Sequence, residues 1–494
     1  MAMQRGLQRA VGALAIGCGV GVMSGAPAMA DEVIVDNLCQ VANRIMNRDC
    51  RMVIVGDSIT TKGNPISIGL GIGRTWAPRQ WVGRVSPGNP QVDNTGLNIA
   101  CPYADDKLRV GWQVAPGQAF SDGSVGLAPD YALDYSFDAD YPDRSSLLTA
   151  TLGSMGAYVR GDWTAGAPLT ARMVYRVGPR TIPQVQIQSV RNNDYTLAST
   201  VQLSGPVDQT GWVESTMSDG YGSAQLVVQS APDVDESGTN FYHYGTLFYR
   251  GDVAGFQFDS VSIGGWTAAD QLDPVKCSDQ QLVSYLAATR SPNLVMIWIG
   301  QNMTVDEYNI PGVWRSHVQG LIDRYRKATV AAGAVNPMFL LVAPYRANDI
   351  ETRFDWMAED LHTLSVINPN TGYINLCALA GTYKQMARNG YFRDGLHPSE
   401  LGAVVFAKLL WQQIENAAAQ AYIGDVNEDG AVNTGDLAAL LGQFGKRPDM
   451  RGGGADLNRD GVVDTRDLAI VLGQYGAKCH GWYGVTGGGG GPTN

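Results

Sequence analysis

The chain has 494 residues, 45% apolar and 17% charged, with 60 glycines and 23 prolines. That is too long for one ordinary domain and too apolar for a disordered chain, and the glycine and proline content points to many turns and a sizeable β component. A formal net charge of −11 excludes the basic footprint that a nucleic-acid binder needs.

Residues 1–30 predict a bacterial-type export signal. Arg5 and Arg9 supply the positive start, 11–23 is a Gly/Ala-rich apolar stretch, and Ala28-Met29-Ala30 is a small-x-small cleavage site before Asp31. The mature protein is then expected to be secreted or attached to the cell surface. A lipoprotein site at Cys18 is the rival reading, although Ala15 stands where such a site favours leucine. No other segment approaches the ~20 apolar residues of a membrane span. Cys39, Cys50, Cys101, Cys277, Cys377 and Cys479 show no metal-binding spacing. In an exported protein some can pair. Cys39–Cys50 is the easiest local pair, whereas Cys377, in an apolar run, reads equally well as a buried free thiol.

The first zone, 31–98, contains Met52-Val53-Ile54-Val55 running into Gly56-Asp57-Ser58. A short apolar run ending in a small-residue turn is how a parallel strand delivers a side chain to the carboxyl edge of a sheet. The zone 99–258 changes character. Alternating runs at 171–177, 185–190, 200–204 and 224–230, separated by turn residues, predict an inserted β-sandwich. The zone 259–422 returns to strands alternating with helices: strands at 294–299, 339–343 and 373–376, helices at 313–331, near 350–365 and at 400–419. That alternation predicts a parallel sheet. Residues 423–478 form two units offset by 31 residues, and a glycine-rich tail, expected to be flexible, occupies 479–494.

Four short motifs carry the chemistry. Gly56-Asp57-Ser58-Ile59-Thr60 follows a strand. Ser262-Ile263-Gly264-Gly265-Trp266-Thr267 comes next, then Gly300-Gln301-Asn302 after the 294–299 strand, and finally Asp394-Gly395-Leu396-His397-Pro398. In this order they resemble the blocks of the SGNH/GDSL serine hydrolases, over 33–98 and 259–422. The resemblance implies a flavodoxin-like three-layer α/β fold, with the β-sandwich inserted and a small helical repeat module at the C-terminal end.

It also implies roles. Ser58 is the nucleophile, a hydroxyl that is weak until a base takes its proton. His397 is the base, an imidazole being able to accept that proton near neutral pH. Asp394 orients the other ring nitrogen. The Ser58 N–H, the Gly265 N–H (Gly264 being the alternative) and the Asn302 side chain would meet the oxyanion. Met303 departs from the family's usual Gly-x-Asn-Asp in the third block. Asp57, tempting as a second acid, is expected to shape the nucleophile turn instead. No cofactor is expected for catalysis. His243, His317, His362 and His480 lack the Asp at −3 and the following Pro, and are expected on the surface or in packing.

The position of the insertion is similar to that in polysaccharide and peptidoglycan O-acetylesterases, which implies an acetylated polysaccharide as substrate. Trp163, Trp212, Tyr242, Tyr244 and Tyr249 could stack on sugar rings or fill a core. A lipase or thioesterase acting on acyl chains is the enzyme alternative. A glycan-binding or scaffold protein is the non-catalytic one.

In the repeat, Asp425, Asn427, Asp429, Asn433 and Asp436 stand at positions 1, 3, 5, 9 and 12 of an EF-hand-type loop, with Gly430 at 6 and the Ala431 carbonyl at 7. Asp456, Asn458, Asp460, Asp464 and Asp467 repeat this around Gly461 and Val462. Such oxygen donors suit Ca2+, and glycine at 6 permits the sharp turn. Asp at position 12 and the lack of an entering helix resemble type I dockerin modules. That implies a structural Ca2+ in each loop and a possible cohesin-bearing scaffold as partner. Thr434-Gly435 and Thr465-Arg466 are where such modules read their partner.

Overall fold

A computed structural model describes residues 38–60, 261–262, 264–347, 351–419, 421–446, 454–458 and 462–478, together with the strands between 81 and 260. The expected export signal, Cys18, Cys101, Trp163, Asp460, Gly461, Cys479, His480 and the rest of the tail lie outside the described residues.

Chain order begins with α1 (Leu38–Asn47) and β1 (Cys50–Gly56). Next come β2 (Trp81–Ser86), β3 (Asn98–Ile99), β4 (Val110–Val114), β5 (Ala119–Ser121), β6 (Leu133–Tyr135), β7 (Ser145–Leu152) and β8 (Leu169–Val177). They are followed by β9 (Gln184–Arg191), β10 (Asp194–Gln202), β11 (Thr210–Met217), β12 (Gly222–Gln229), β13 (Phe241–Tyr249) and β14 (Phe256–Ser260). Helices and strands then alternate through α2 (Ala268–Leu272), α3 (Asp279–Ala288), β15 (Leu294–Trp298), α4 (Val305–Asn309), α5 (Val313–Ala331) and β16 (Met338–Val342). The series continues through α6 (Glu351–Ile367), β17 (Thr371–Ile374), α7 (Leu376–Ala380), α8 (Tyr383–Arg388) and α9 (Glu400–Ala418). The repeat supplies α10 (Thr434–Leu441) and α11 (Thr465–Gly473).

β14, β1, β15, β16 and β17 lie side by side and run parallel. Numbered among themselves in chain order they read 2-1-3-4-5, the flavodoxin-like order, which places a ligand crevice beyond the carboxyl ends of the first and third strands. Every residue of β1, β15, β16 and β17 is buried, because helices cover both faces. α1 packs against α9 and β17, while α5 packs against α2, α3 and α6. Gly56 of β1 is level with Trp298 of β15, so the loops after the two strands leave the sheet side by side.

The hydrogen-bonded sheet does not stop at the parallel strands. β2 pairs with β14 in parallel, β13 pairs antiparallel with β2, and β8 and β11 continue outward. A second sheet, β10-β9-β12-β7-β4, is antiparallel. The expected runs at 171–177, 185–190 and 224–230 fall on β8, β9 and β12, and 200–204 overlaps the end of β10. β7, whose Leu147-Leu148 pair breaks the alternation, lies outside those runs, as do β4, β5, β6, β11 and β13. Arg172 of β8 pins its strand to the 259–422 zone. Its Nη1 donates to the Ala288 carbonyl at 3.2 Å, Nε pairs with Glu214 at 2.5 Å, and the guanidinium lies 5.1 Å from the centre of the exposed Trp212 ring. Only strand placement is described for Tyr242, Tyr244 and Tyr249.

Cys50 and Cys277 are buried free thiols, Cys377 is buried with its Sγ 3.8 Å from Asp355 Oδ1, and Cys39 is disulfide-bonded. The local Cys39–Cys50 pair therefore does not form. Cys50 belongs to β1 and points into the core, where burial pushes its thiol well above the ordinary range.

Candidate active site

The turn that carries Ser58 is shaped by contacts that tolerate no side chain at Gly56. A Cβ there would sit 2.0 Å from Thr60 Oγ1 and 2.6 Å from the Trp298 carbonyl oxygen. The chain can then turn sharply off β1 and lift Ser58 to the sheet edge. Thr60 Oγ1 lies 2.7 Å from Ser262 Oγ, which ties the first motif to the second.

Ser58 Oγ is 2.9 Å from His397 Nε2. His397 Nδ1 is 3.0 Å and 3.3 Å from the two carboxylate oxygens of Asp394. The Asp394 loop is held by its own backbone. Gly395 adopts φ +82°, Phe392 and Pro398 form a bridge, and the Arg393 N–H donates to the His397 carbonyl at 2.9 Å. Asp394 Oδ1 also accepts the N–H groups of His397 and Leu396, at 2.8 and 3.2 Å. Slight burial pushes the Asp394 carboxyl up. The His397 N–H, the His397 ring and the Leu396 N–H outweigh it and bring the group down to about 2. Asp394 is therefore a carboxylate at neutral pH and can orient the imidazole.

The segments that carry the oxyanion candidates lie near one another. Gly265 has φ +79° and open space where a Cβ would be. A Cβ on Gly264 would be 3.8 Å from Ser58 Cβ. Asn302 Nδ2 lies 3.5 Å from the Trp266 carbonyl, which keeps the amide beside the 264–266 segment.

Asp57 does more than shape its own turn. It is buried; Oδ1 accepts the Ile59 N–H at 3.0 Å and Oδ2 accepts the Gln301 N–H at 3.2 Å. Burial pushes its carboxyl up to about 6, against the pull of the Ile59, Gln301, Gly300 and Asn302 N–H groups. One carboxylate thus fixes the Ser58 turn relative to the Asn302 loop. Its burial keeps the carboxylate away from solvent.

Two supports were not foreseen. The buried Tyr345 hydroxyl donates to the Leu396 carbonyl at 2.8 Å, and its ring stacks on Phe406 with centroids 4.5 Å apart. Gln301 Nε2 donates to the Tyr345 carbonyl at 2.9 Å, which links the third motif to the last. Tyr345 carries no local sequence signal, because its partner lies 51 residues away. Two other histidines are engaged in packing: His317 Nδ1 meets Glu307 Oε1 at 2.8 Å, and the His362 ring packs beside Tyr373.

In the repeat, carboxylate oxygens of Asp425, Asp429 and Asp436 lie within 4.8 Å of one another. Asp436 is fully buried. Its oxygens accept the N–H groups of Val426, Asn427 and Asn433 at 2.7, 3.0 and 2.8 Å, and with Asn433 it forms the capping box of α10. Asp467 does the same for Leu457, Asn458 and Asp464 at the start of α11. This explains aspartate at position 12: the residue is also the third of a helix, where a short carboxylate reaches back to the cap. Burial pushes Asp425 up to about 6, and the neighbouring Asp436 and Asp429 carboxylates push the same way against the Gly430 and Asp429 N–H groups. Such crowding fits a hard cation that takes six to eight oxygen ligands. Asn427 and Asn433 also lie on this loop, as does Ala431, whose carbonyl is 3.3 Å from Asn433 Nδ2. In the second loop Asp456, Asn458, Val462, Asp464 and Asp467 are described.

Residues 423–474 match the family model "Dockerin type I domain". Among solved structures, the chain is similar to one titled "Peptidoglycan O-acetylesterase in action", at 16% identity and a TM-score of 0.49, over 78% of this chain and 97% of that one. It is also similar to a family two carbohydrate esterase from Cellvibrio japonicus, at 12% identity and a TM-score of 0.24, over 62% and 99% of the two chains. A third is an acetylxylan esterase from Geobacillus stearothermophilus, at 16% identity and a TM-score of 0.24, over 33% and 73%. The comparison with curated proteins found no match. No helix among the described residues is long and apolar enough to cross a membrane.

Proposed function

We propose that the chain is a secreted serine esterase of SGNH type that hydrolyses O-acyl esters, chiefly O-acetyl groups, on a polysaccharide. The observation that carries this reading is the relay from Ser58 Oγ to His397 Nε2 at 2.9 Å and from His397 Nδ1 to Asp394 at 3.0 Å, beside the Gly265 and Asn302 segments. In this reading Ser58 Oγ attacks the ester carbonyl while His397 takes its proton, and the carbonyl oxygen becomes an oxyanion facing the Ser58 N–H, Gly265 N–H and Asn302 amide. Collapse expels the sugar hydroxyl, which receives the proton from His397 and leaves an acyl-serine. Water, deprotonated by His397, then releases the acid and frees Ser58.

The insertion is in this reading a β-sandwich that walls the cleft and can engage the polymer. The C-terminal module holds Ca2+ through Asp425, Asn427, Asp429, Asn433 and Asp436 and their counterparts in the second loop, and attaches the enzyme to a cohesin-bearing scaffold. The ion would neutralise the clustered carboxylates and complete the loop fold, and it takes no part in ester hydrolysis. The test is acetate release from acetylated xylan, pectin, alginate and peptidoglycan, beside nitrophenyl esters of rising chain length. Acetate-only activity supports the reading; preference for octanoate and longer chains would favour a lipase or thioesterase.

A further inference from the structure

The repeat module does not hang from the end of α9. α1 carries Arg44, and Arg48 directly follows the helix, its N–H donating to the Arg44 carbonyl at 3.2 Å; both side chains reach into the module. Arg44 is buried and forms an ion pair through Nη2 with Glu428, which is also buried; Arg44 Nε donates to Glu428 Oε1 at 3.3 Å. The same guanidinium holds the carbonyls of Asn293 and Asn336, at 2.8 and 3.0 Å, just ahead of β15 and β16. Arg48 donates to three module carbonyls: Gly454 at 2.6 Å, Ile423 at 2.9 Å and Asp425 at 2.8 Å. Gly430 closes on α1 so tightly that a Cβ there would lie 2.3 Å from Gln40 Nε2.

These contacts fall on the first calcium loop itself. Asp425 is its first ligand position and Gly430 its turn glycine. Glu428, at position 4, is not a ligand; it adopts φ +59°, and its side chain reaches outward to Arg44. Arg48 also grips Gly454, two residues before the second loop begins.

We propose that α1 and the residue that follows it are an intramolecular docking surface for the repeat module, and that Arg44 and Arg48 form part of the frame of the first calcium loop. The hydrolase domain then sets the calcium affinity of that loop, and calcium in turn stabilises the hydrolase domain. This rests on the calcium reading of the module. The reciprocity is thermodynamic: if docking pre-forms the loop, calcium strengthens docking by the same factor. Arg44 binds at the amino ends of β15 and β16, whereas Ser58 and Asn302 stand at the carboxyl ends, about 20 Å of strand away. The coupling therefore acts on stability and leaves the esterase chemistry in place.

The test titrates calcium into the full chain against a chromophoric chelator, for wild type, Glu428→Gln and Arg48→Met. It also follows the melting of the hydrolase domain by near-ultraviolet circular dichroism, which reports the buried Trp298 and Trp314. Two sites are expected in wild type. Glu428→Gln should weaken one of them by on the order of tenfold and leave the other unchanged, while Arg48→Met, which also releases Gly454, should weaken at least one by as much. Calcium should raise the hydrolase melting temperature in wild type, and by less in each variant. Two unchanged affinities in both variants, or a wild-type hydrolase transition indifferent to calcium, would overturn the docking inference while leaving the calcium module intact. Absence of any calcium binding would overturn both.

Discussion

Asp57→Asn should separate the chemistry from the fold. The buried carboxylate takes one N–H from the nucleophile turn and one from the Asn302 loop, on different oxygens. An amide of the same shape keeps one acceptor and turns an NH2 group toward the other N–H, which costs about 1–3 kcal/mol. The substitution also removes a desolvated charge. With its carboxyl pushed up to about 6 from an ordinary value near 4, ionising Asp57 at neutral pH costs the fold about 3 kcal/mol. The two effects nearly cancel, so the melting temperature at pH 7 should move by no more than about 4 °C. Turnover should not be spared. If the loop carrying Asn302 drifts, one oxyanion donor is lost, worth about 10²–10³ in kcat, with kcat/KM falling equally. The pH dependence has a definite sign. Folded Asp57 keeps a proton that the unfolded chain releases between about pH 4 and 6, so its contribution to stability is full below that window and is lost as pH rises through about 6. The variant should lack this slope. Hydrolysis of nitrophenyl acetate, with thermal melts at pH 4, 5, 6 and 7, reads all three quantities. Activity within threefold of wild type would refute the bridging role of Asp57.

Ser58→Ala should abolish ester hydrolysis with unchanged circular dichroism; activity within tenfold of wild type would sink the serine mechanism. Asp394→Asn should lower kcat by on the order of 10⁴ through the wrong His397 tautomer. Because Asp394 is held down to about 2, any acid limb of the wild-type rate above pH 4 must come from another group. Chelation at 25 °C should expose 423–478 to protease while hydrolysis survives, and Asp425→Ala with Asp456→Ala should mimic it; lost activity with a protected module would contradict both assignments. Gly56→Ala forces a methyl onto Thr60 Oγ1 and the Trp298 carbonyl and should cost about 1–3 kcal/mol of stability, measurable by denaturant unfolding.

Much of this protein is written locally. The buried run before Gly56, the strand before Gly300 and the 313–331 helix each follow from periodicity and turn residues within a dozen positions, and all three form. Ser58, His397 and Asp394, which the fold brings within hydrogen-bond reach of one another, could be singled out because the residue types that acyl transfer requires are few and occur in short motifs. The repeat was legible because 31-residue spacing of acidic loops has no other ready explanation. What the tertiary structure alone decided are relations between distant segments. Asp57 joins two loops 244 residues apart, Tyr345 steadies the histidine loop from 51 residues away, and Arg44 reaches Glu428 across 384. The pairing of β2 with β13 and β14, which carries one sheet across the expected domain boundary, is of the same kind. So is the exclusion of a Cys39–Cys50 disulfide, since the direction of β1 turns Cys50 into the core. Such contacts depend on which surfaces the folded chain brings face to face, and neither propensity nor spacing along the sequence encodes that.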